Sequence, residues 1–127
     1  MLWIARIAVG LAFLFSLLMG LQTYFTPEAS AVMLGLGTAL PEMGMNTFRA
    51  DIGAFFLAAA VFAGLGLFAG RTGAIYGAAL LYGLALTGRI LGSLMAGAPE
   101  GIATPIAVEA ILVVLLVFGA RTLSRNT

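Results

Sequence analysis

Apolar residues fall into four long runs along this chain, with short polar or glycine-containing breaks between them. Each run is close to the roughly 20 residues that a helix needs to cross a bilayer. The first covers residues 2–24. Its Trp3 and Tyr24 are 21 residues apart, which at about 1.5 Å per residue is roughly the 30 Å hydrocarbon thickness, so both read as interfacial anchors. A cleaved signal peptide is the competing reading. The length of the run, the single Arg6 near its start and the poor cleavage sequence Leu18-Met19-Gly20-Leu21 favour a retained span. A second span is expected over residues 47–70, with Asn46 or Thr47 capping its first turn. Arg71-Thr72-Gly73 makes a tight connection to a third span over residues 73–95, interrupted by Arg89 alone. After the turn from Ala96 to Gly101, Thr104-Pro105 has the form of an N-cap followed by proline at the first helical position. It opens a fourth span over residues 105–122, with a short polar tail at 124–127.

The one long connection, residues 25–46, holds a helix start at Thr26-Pro27-Glu28 and a helix end at Gly35 and Gly37. Residues 27–34 are too apolar for a solvated loop and too short to span, so they read as a short interfacial helix over one mouth of the bundle. Pro41 and Gly44 turn the chain into the second span. Small residues recur four apart at Gly66 and Gly70, Gly73 and Gly77, and Gly88 and Gly92, with weaker pairs at Ala54 and Ala58 and at Ala60 and Gly64. Such spacing lets helix backbones approach closely in lipid. The short link makes spans two and three antiparallel neighbours, and their glycines are expected at that contact; a homodimer face is the alternative use. Phe55, Phe56, Phe62, Phe68, Tyr76 and Tyr82 read as packing or lipid-facing groups without chemistry. The expected fold is an all-α integral membrane four-helix bundle, one four-span domain over residues 1–127.

Composition sharpens this picture. Hydrophobic residues make up 62% and charged residues 9% of the chain, against about 45–50% and 25% in soluble domains. With a mean hydropathy of +1.14, the chain is expected in a membrane. Cysteine and histidine are absent, which removes thiolate chemistry, iron–sulfur ligation and the commonest zinc and haem ligands. The five acidic residues are dispersed, so neither a metal site nor a cofactor is expected. A net charge of +1 without a basic block offers nothing to nucleic acid.

The charges sort by depth. Arg6, Arg71, Arg121 and Arg125 fall on one side of the four-span topology and Glu28, Glu42 and Glu100 on the other, which puts both termini in the cytoplasm. Arg89 lies 18 residues beyond Arg71, about 27 Å at helical rise, hence near the outer boundary, where Arg49 and Asp51 also open span two. Glu109 lies 12 residues before Arg121, roughly 18 Å from the inner boundary, and is the deepest charge in the chain. Asn46, Arg49, Asp51, Arg89 and Glu109 therefore form the candidate site, with Arg89 and Glu109 expected to pair between adjacent spans. Arg49 and Asp51 are two residues apart, about 200° around a helix, so one is expected to face the bundle and the other the mouth or an interface. Such a cluster can fix helix register, hold a lipid headgroup or lipophilic ligand, or line a proton path. The near absence of polar residues in the inner half of spans two and four argues against a path.

Asn46, Arg49-Ala50-Asp51-Ile52-Gly53-Ala54-Phe55-Phe56, Gly88-Arg89-Ile90-Leu91-Gly92-Ser93, Gly97, Pro99 and Glu109 give the chain its one family likeness. It resembles an uncharacterised bacterial family of small four-span membrane proteins, over nearly its whole length. In architecture alone it is distantly similar to the DoxX-like four-helix membrane proteins. The resemblance implies the same fold and the same polar residues, and no particular activity.

Two classes of function remain in view. The first is a non-catalytic inner-membrane protein that binds membrane lipid or another lipophilic ligand at the outer cluster, or serves as an accessory subunit of a larger membrane complex. The second is a small proton-coupled carrier or membrane enzyme in which Glu109 acts as acid or base; the lack of His, Cys and a second nearby carboxylate weighs against it. The orientation has a direct check. A cysteine introduced at Glu28 or Glu100 is expected to react with a membrane-impermeant maleimide on intact cells, and one at Arg125 only after permeabilisation.

Overall fold

Helix boundaries follow from where proline and glycine stand. The computed structural model describes residues 1–37 and 40–126. Thr38 and Ala39, in the expected 25–46 connection, and Thr127, the end of the expected tail, lie outside the described residues. The chain is all-α: α1 (Leu2–Phe25), α2 (Pro27–Met33), α3 (Glu42–Phe68), α4 (Ile75–Ala96) and α5 (Ala103–Arg125), with a 3-10 turn at Thr72–Ala74. All but α2 are long and apolar enough to cross a membrane. The protein is a multi-pass membrane four-helix bundle.

The short helix α2 starts with Pro27, whose missing N–H costs nothing in the first turn. It ends where Gly35 takes φ +83°, with Leu36 N–H donating to Ala31 C=O at 2.8 Å and Gly35 N–H to Val32 C=O at 3.0 Å. That reversal closes carbonyls the helix would otherwise leave open. Gly70, at φ +69°, similarly ends α3 and turns the chain so that Arg71 N–H reaches Leu65 C=O at 3.0 Å.

Two expected starts move. The helix α3 begins at Glu42, five residues ahead of the expected 47, so Asn46 and Thr47 sit inside it and cap nothing. Pro41 occupies the N-cap position, Met45 N–H donates to its carbonyl at 2.8 Å, and Glu42 places a negative charge at the positive end of the helix dipole. The helix α5 begins at Ala103 rather than at Pro105. Pro105 is still within the first turn, where N–H groups have no helical partner. At its other end α5 continues to Arg125, absorbing most of the expected tail.

Packing is cyclic: α1 lies against α3 and α5, and α4 against the same two, leaving α1 and α4 on one diagonal. Close contacts show that neighbours run antiparallel. Tyr24 covers Gly53, Leu57 covers Gly20 and Phe13 covers Gly64 along α1 and α3, while Ile75 covers Gly66 and Phe62 covers Gly77 between α3 and α4. Val9 of α1 fills the space over Gly119 of α5. The centre is built largely of alanine, with Ala5, Ala12, Ala59, Ala63, Ala78 and Ala120 all buried. Lipid chains are as apolar as these side chains, so association depends on close backbone approach rather than on burying apolar area.

The glycine pairs divide. Gly66 and Gly77 meet the partner helix as expected, but Gly73, Gly88 and Gly92 have open space beside them, and Gly88 and Gly92 are exposed on α4. A Cβ at Gly119 would meet the buried, β-branched Val9 at 2.2 Å. Gly119→Ala is therefore expected to destabilise the bundle by about 1–3 kcal/mol. Gly88→Ala and Gly92→Ala should be neutral or stabilise it by up to about 1 kcal/mol. Unfolding of the three variants in mixed detergent micelles reads this difference.

Candidate functional site

Glu109 begins the inward stripe of α5, which continues through Leu112, Leu116, Gly119 and Leu123. Three- and four-residue steps keep these side chains on one helix face. On α4 the inward face runs through Ile75, Ala78, Ala79 and Tyr82, and Arg89 lies two turns beyond Tyr82 on the same side. The two stripes bring Arg89 to Glu109, with Arg89 Nε–H donating to Glu109 Oε1. The Glu109 side chain is 9% exposed and that of Arg89 33% exposed. The carboxylate is thus sunk in the bundle while the guanidinium is partly exposed. Among the described residues this is the one ion pair.

The terminal amino groups of Arg89 make no hydrogen bond among the described residues. Ser93, one turn nearer the mouth, donates its hydroxyl to the Arg89 carbonyl at 2.9 Å. A guanidinium carries five N–H donors in a rigid fork, and only the Nε–H is committed to Glu109.

Arg49 and Asp51 do not join this pair. Both are exposed. Arg49 follows the buried Phe48 and turns back to α1, where its Nε–H donates to Tyr24 C=O at 3.0 Å. That contact places a cation on carbonyls at the C-terminal end of α1, a stabilising arrangement for a helix end. Neither of the two faces the bundle interior, contrary to the expectation that one would, because α3 turns Phe48, Ile52 and Phe56 inward and leaves 49 and 51 on its flanks. Asn46 is also exposed at this end. Among the described residues, no three acidic side chains converge in a way that could hold a metal ion.

Two buried polar contacts escaped the sequence reading. Tyr82, taken for packing without chemistry, is 1% exposed and crosses the diagonal from α4 to Ser16 of α1, with 2.5 Å between the hydroxyl oxygens. Ser16 donates its own proton to Ala12 C=O at 2.7 Å, so the phenol donates to Ser16. Phe55 meets the Tyr82 ring edge-on at 5.4 Å and 89°, and Phe56 and Phe15 close the cluster. The second contact joins Ser30 of α2 to Thr23 of α1 at 2.7 Å, with Thr23 donating onward to Met19 C=O at 2.8 Å. The available signal was a lone hydroxyl inside an otherwise apolar run, as at Ser16. Among the described residues no buried side-chain nitrogen or oxygen lacks a partner.

No family model matches the chain, and neither does any curated protein or solved structure.

Because Glu109 is the more buried partner, Arg89→Leu is expected to cost more than Glu109→Leu. Each should cost about 1–3 kcal/mol, below the figure for a fully enclosed pair because Arg89 is partly exposed. The double Leu variant should regain most of the loss. Unfolding in mixed micelles measures all three.

Proposed function

We propose that the protein is a non-catalytic component of a bacterial inner membrane, with both termini cytoplasmic, that binds an anionic lipophile at the outer mouth of its bundle. Membership of the small four-span bacterial family is part of the same proposal and rests on the Arg49-Ala50-Asp51 and Gly88-to-Ser93 elements. The observation that carries the binding reading is the half-committed guanidinium of Arg89. Glu109 holds it side-on through Nε, and its two terminal amino groups are left for an oxygen anion arriving from the lipid side. A carboxylate or phosphate head accepts such a fork with two parallel hydrogen bonds. Glu109 offsets the cost of holding the cation at this depth when the site is empty, and Arg49 closes the end of α1 nearby.

The accessory-subunit reading is favoured by a different observation, the exposed Gly88 and Gly92 on α4 with open space over both. Such a face accepts another helix closely, from a larger complex or a second copy. The carrier or enzyme alternative requires polar groups through the whole thickness. Between Tyr82 and the end that holds both termini, the buried side chains among the described residues are apolar, Ala5, Val9, Ile75, Ala78, Leu116 and Ala120 among them, and offer a proton no stepping stones.

Native mass spectrometry of the gently extracted protein tests the binding reading. The wild type is expected to retain a specific lipophilic anion that Arg89→Gln loses and Asp51→Asn keeps. A bare wild-type spectrum, or the same mass on Arg89→Gln, overturns it. A retained protein chain lost in Gly88→Phe would instead establish the subunit reading.

A further inference from the structure

A second place for a lipid lies at the opposite end of the molecule, on the outward side of α5. A shallow, open recess lies there, bounded by one face of α5 and by Met1. Val114, Val117 and Phe118 form its apolar wall, and Arg121, Thr122 and Arg125 stand at its rim. These residues follow the three- and four-residue steps of a single helix face. From Val114 to Arg125 the stripe is about 16 Å long at helical rise, close to the thickness of one leaflet's hydrocarbon, about half of 30 Å. Val114 is 65% exposed, whereas Val117 and Phe118 are half-buried against the core.

The charge is as one-sided as the shape. Arg121 and Arg125 are exposed, one turn apart, and neither forms an ion pair among the described residues. The acidic residues Glu28, Glu42 and Glu100 belong to the other end of the bundle, beside α2 and the starts of α3 and α5. Arginines at a span end can simply extend to the headgroup level over their own helix. Here, however, they cap a groove that an acyl chain would fill, and their spacing allows both to reach one phosphate.

We propose that this groove is a binding site for an acidic phospholipid of the leaflet at the terminal end, its phosphate held by Arg121 and Arg125 and one acyl chain lying along Val114, Val117 and Phe118. The site is separate from Arg89 and stands whether or not the mouth binds a ligand. Phosphate is the natural partner of two adjacent guanidinium forks, and each arginine at the membrane surface adds attraction for acidic headgroups.

The test titrates the purified full chain in neutral detergent with phosphatidylglycerol or phosphatidylcholine and counts retained lipid by native mass spectrometry. Phosphatidylglycerol should be retained in preference. Arg121→Gln and Arg125→Gln should each weaken it about fivefold and the double variant about 25-fold. Val114→Trp, which fills the groove and leaves both charges, should also lose it, while glycerol phosphate, having no acyl chain, should not compete. Arg71→Gln should bind as the wild type does. Helicity measured by circular dichroism checks that each variant is folded, and the Arg121→Lys, Arg125→Lys double variant should recover most of the preference. Equal retention of the two lipids, an unaffected Val114→Trp, or a loss in Arg71→Gln as large as in Arg121→Gln would overturn the groove in favour of general attraction to a basic end.

Discussion

In hydrocarbon a polar group has only the protein to bond to, and that constraint organises the bundle. Hydroxyls within the spans answer it locally. Ser16, Thr23, Thr87, Ser93 and Ser124 each donate to the carbonyl four residues back, a bond that needs no neighbour. A phenol and a carboxylate cannot be satisfied this way, so Tyr82 and Glu109 require other helices. Tyr82 finds Ser16 across the diagonal and Glu109 finds Arg89 on the adjacent helix. Together the two contacts fix how far α4 is rotated and how it is displaced along its axis. A change of one residue in register would turn both side chains away from their partners.

Close packing supplies most of the remaining order. Glycines on α1, α3, α4 and α5 accept Leu57, Tyr24, Phe13, Ile75, Phe62 and Val9 from their neighbours, and alanines fill the axis. Such an interior has little tolerance for added volume. Around Tyr82 the composition changes, because Phe15, Phe55 and Phe56 surround the ring with edge-on and tilted contacts. Aromatic pairs of this kind contribute about 0.5–1.5 kcal/mol each beyond their burial. The middle of the bundle is therefore filled by larger side chains than its alanine-lined terminal half.

The two ends differ in what they present. At the mouth, α2 is tied down by Ser30 and Thr23, while α4 beyond Tyr82 is mostly exposed, from Thr87 through Ala96 except for Arg89 and Ser93. At the terminal end, Leu2, Arg6, Gly70, Thr72 and Leu123 gather around a recess of about 90 Å³, and the arginines of α5 stand outside it. One end holds a charge pair within the bundle; the other carries surface arginines that form no ion pair among the described residues. That asymmetry supports the assignment of different roles to the two ends.

Much of this was legible in the sequence, because run length and charge placement respond directly to bilayer thickness and to the cost of charge in lipid. The four spans, the short helix after Pro27 and the pairing of Arg89 with Glu109 needed nothing else. Helix starts were less legible: Asn46 and Thr47 look like caps, but Pro41 and Glu42 begin α3 one turn earlier. Arg49 and Asp51 share a depth with Arg89, yet depth is one coordinate of three and says nothing of rotation. The sequence by itself determined the number of spans and the order of the charges along them. Only the tertiary structure decided which faces meet, bringing Tyr82 to Ser16 and Arg89 to Glu109 while leaving Asp51, Gly88 and Gly92 exposed. The reason is that near-uniformly apolar helices carry little rotational information of their own, so their orientation is set by the few positions where a glycine admits a neighbour or a polar group must find a partner.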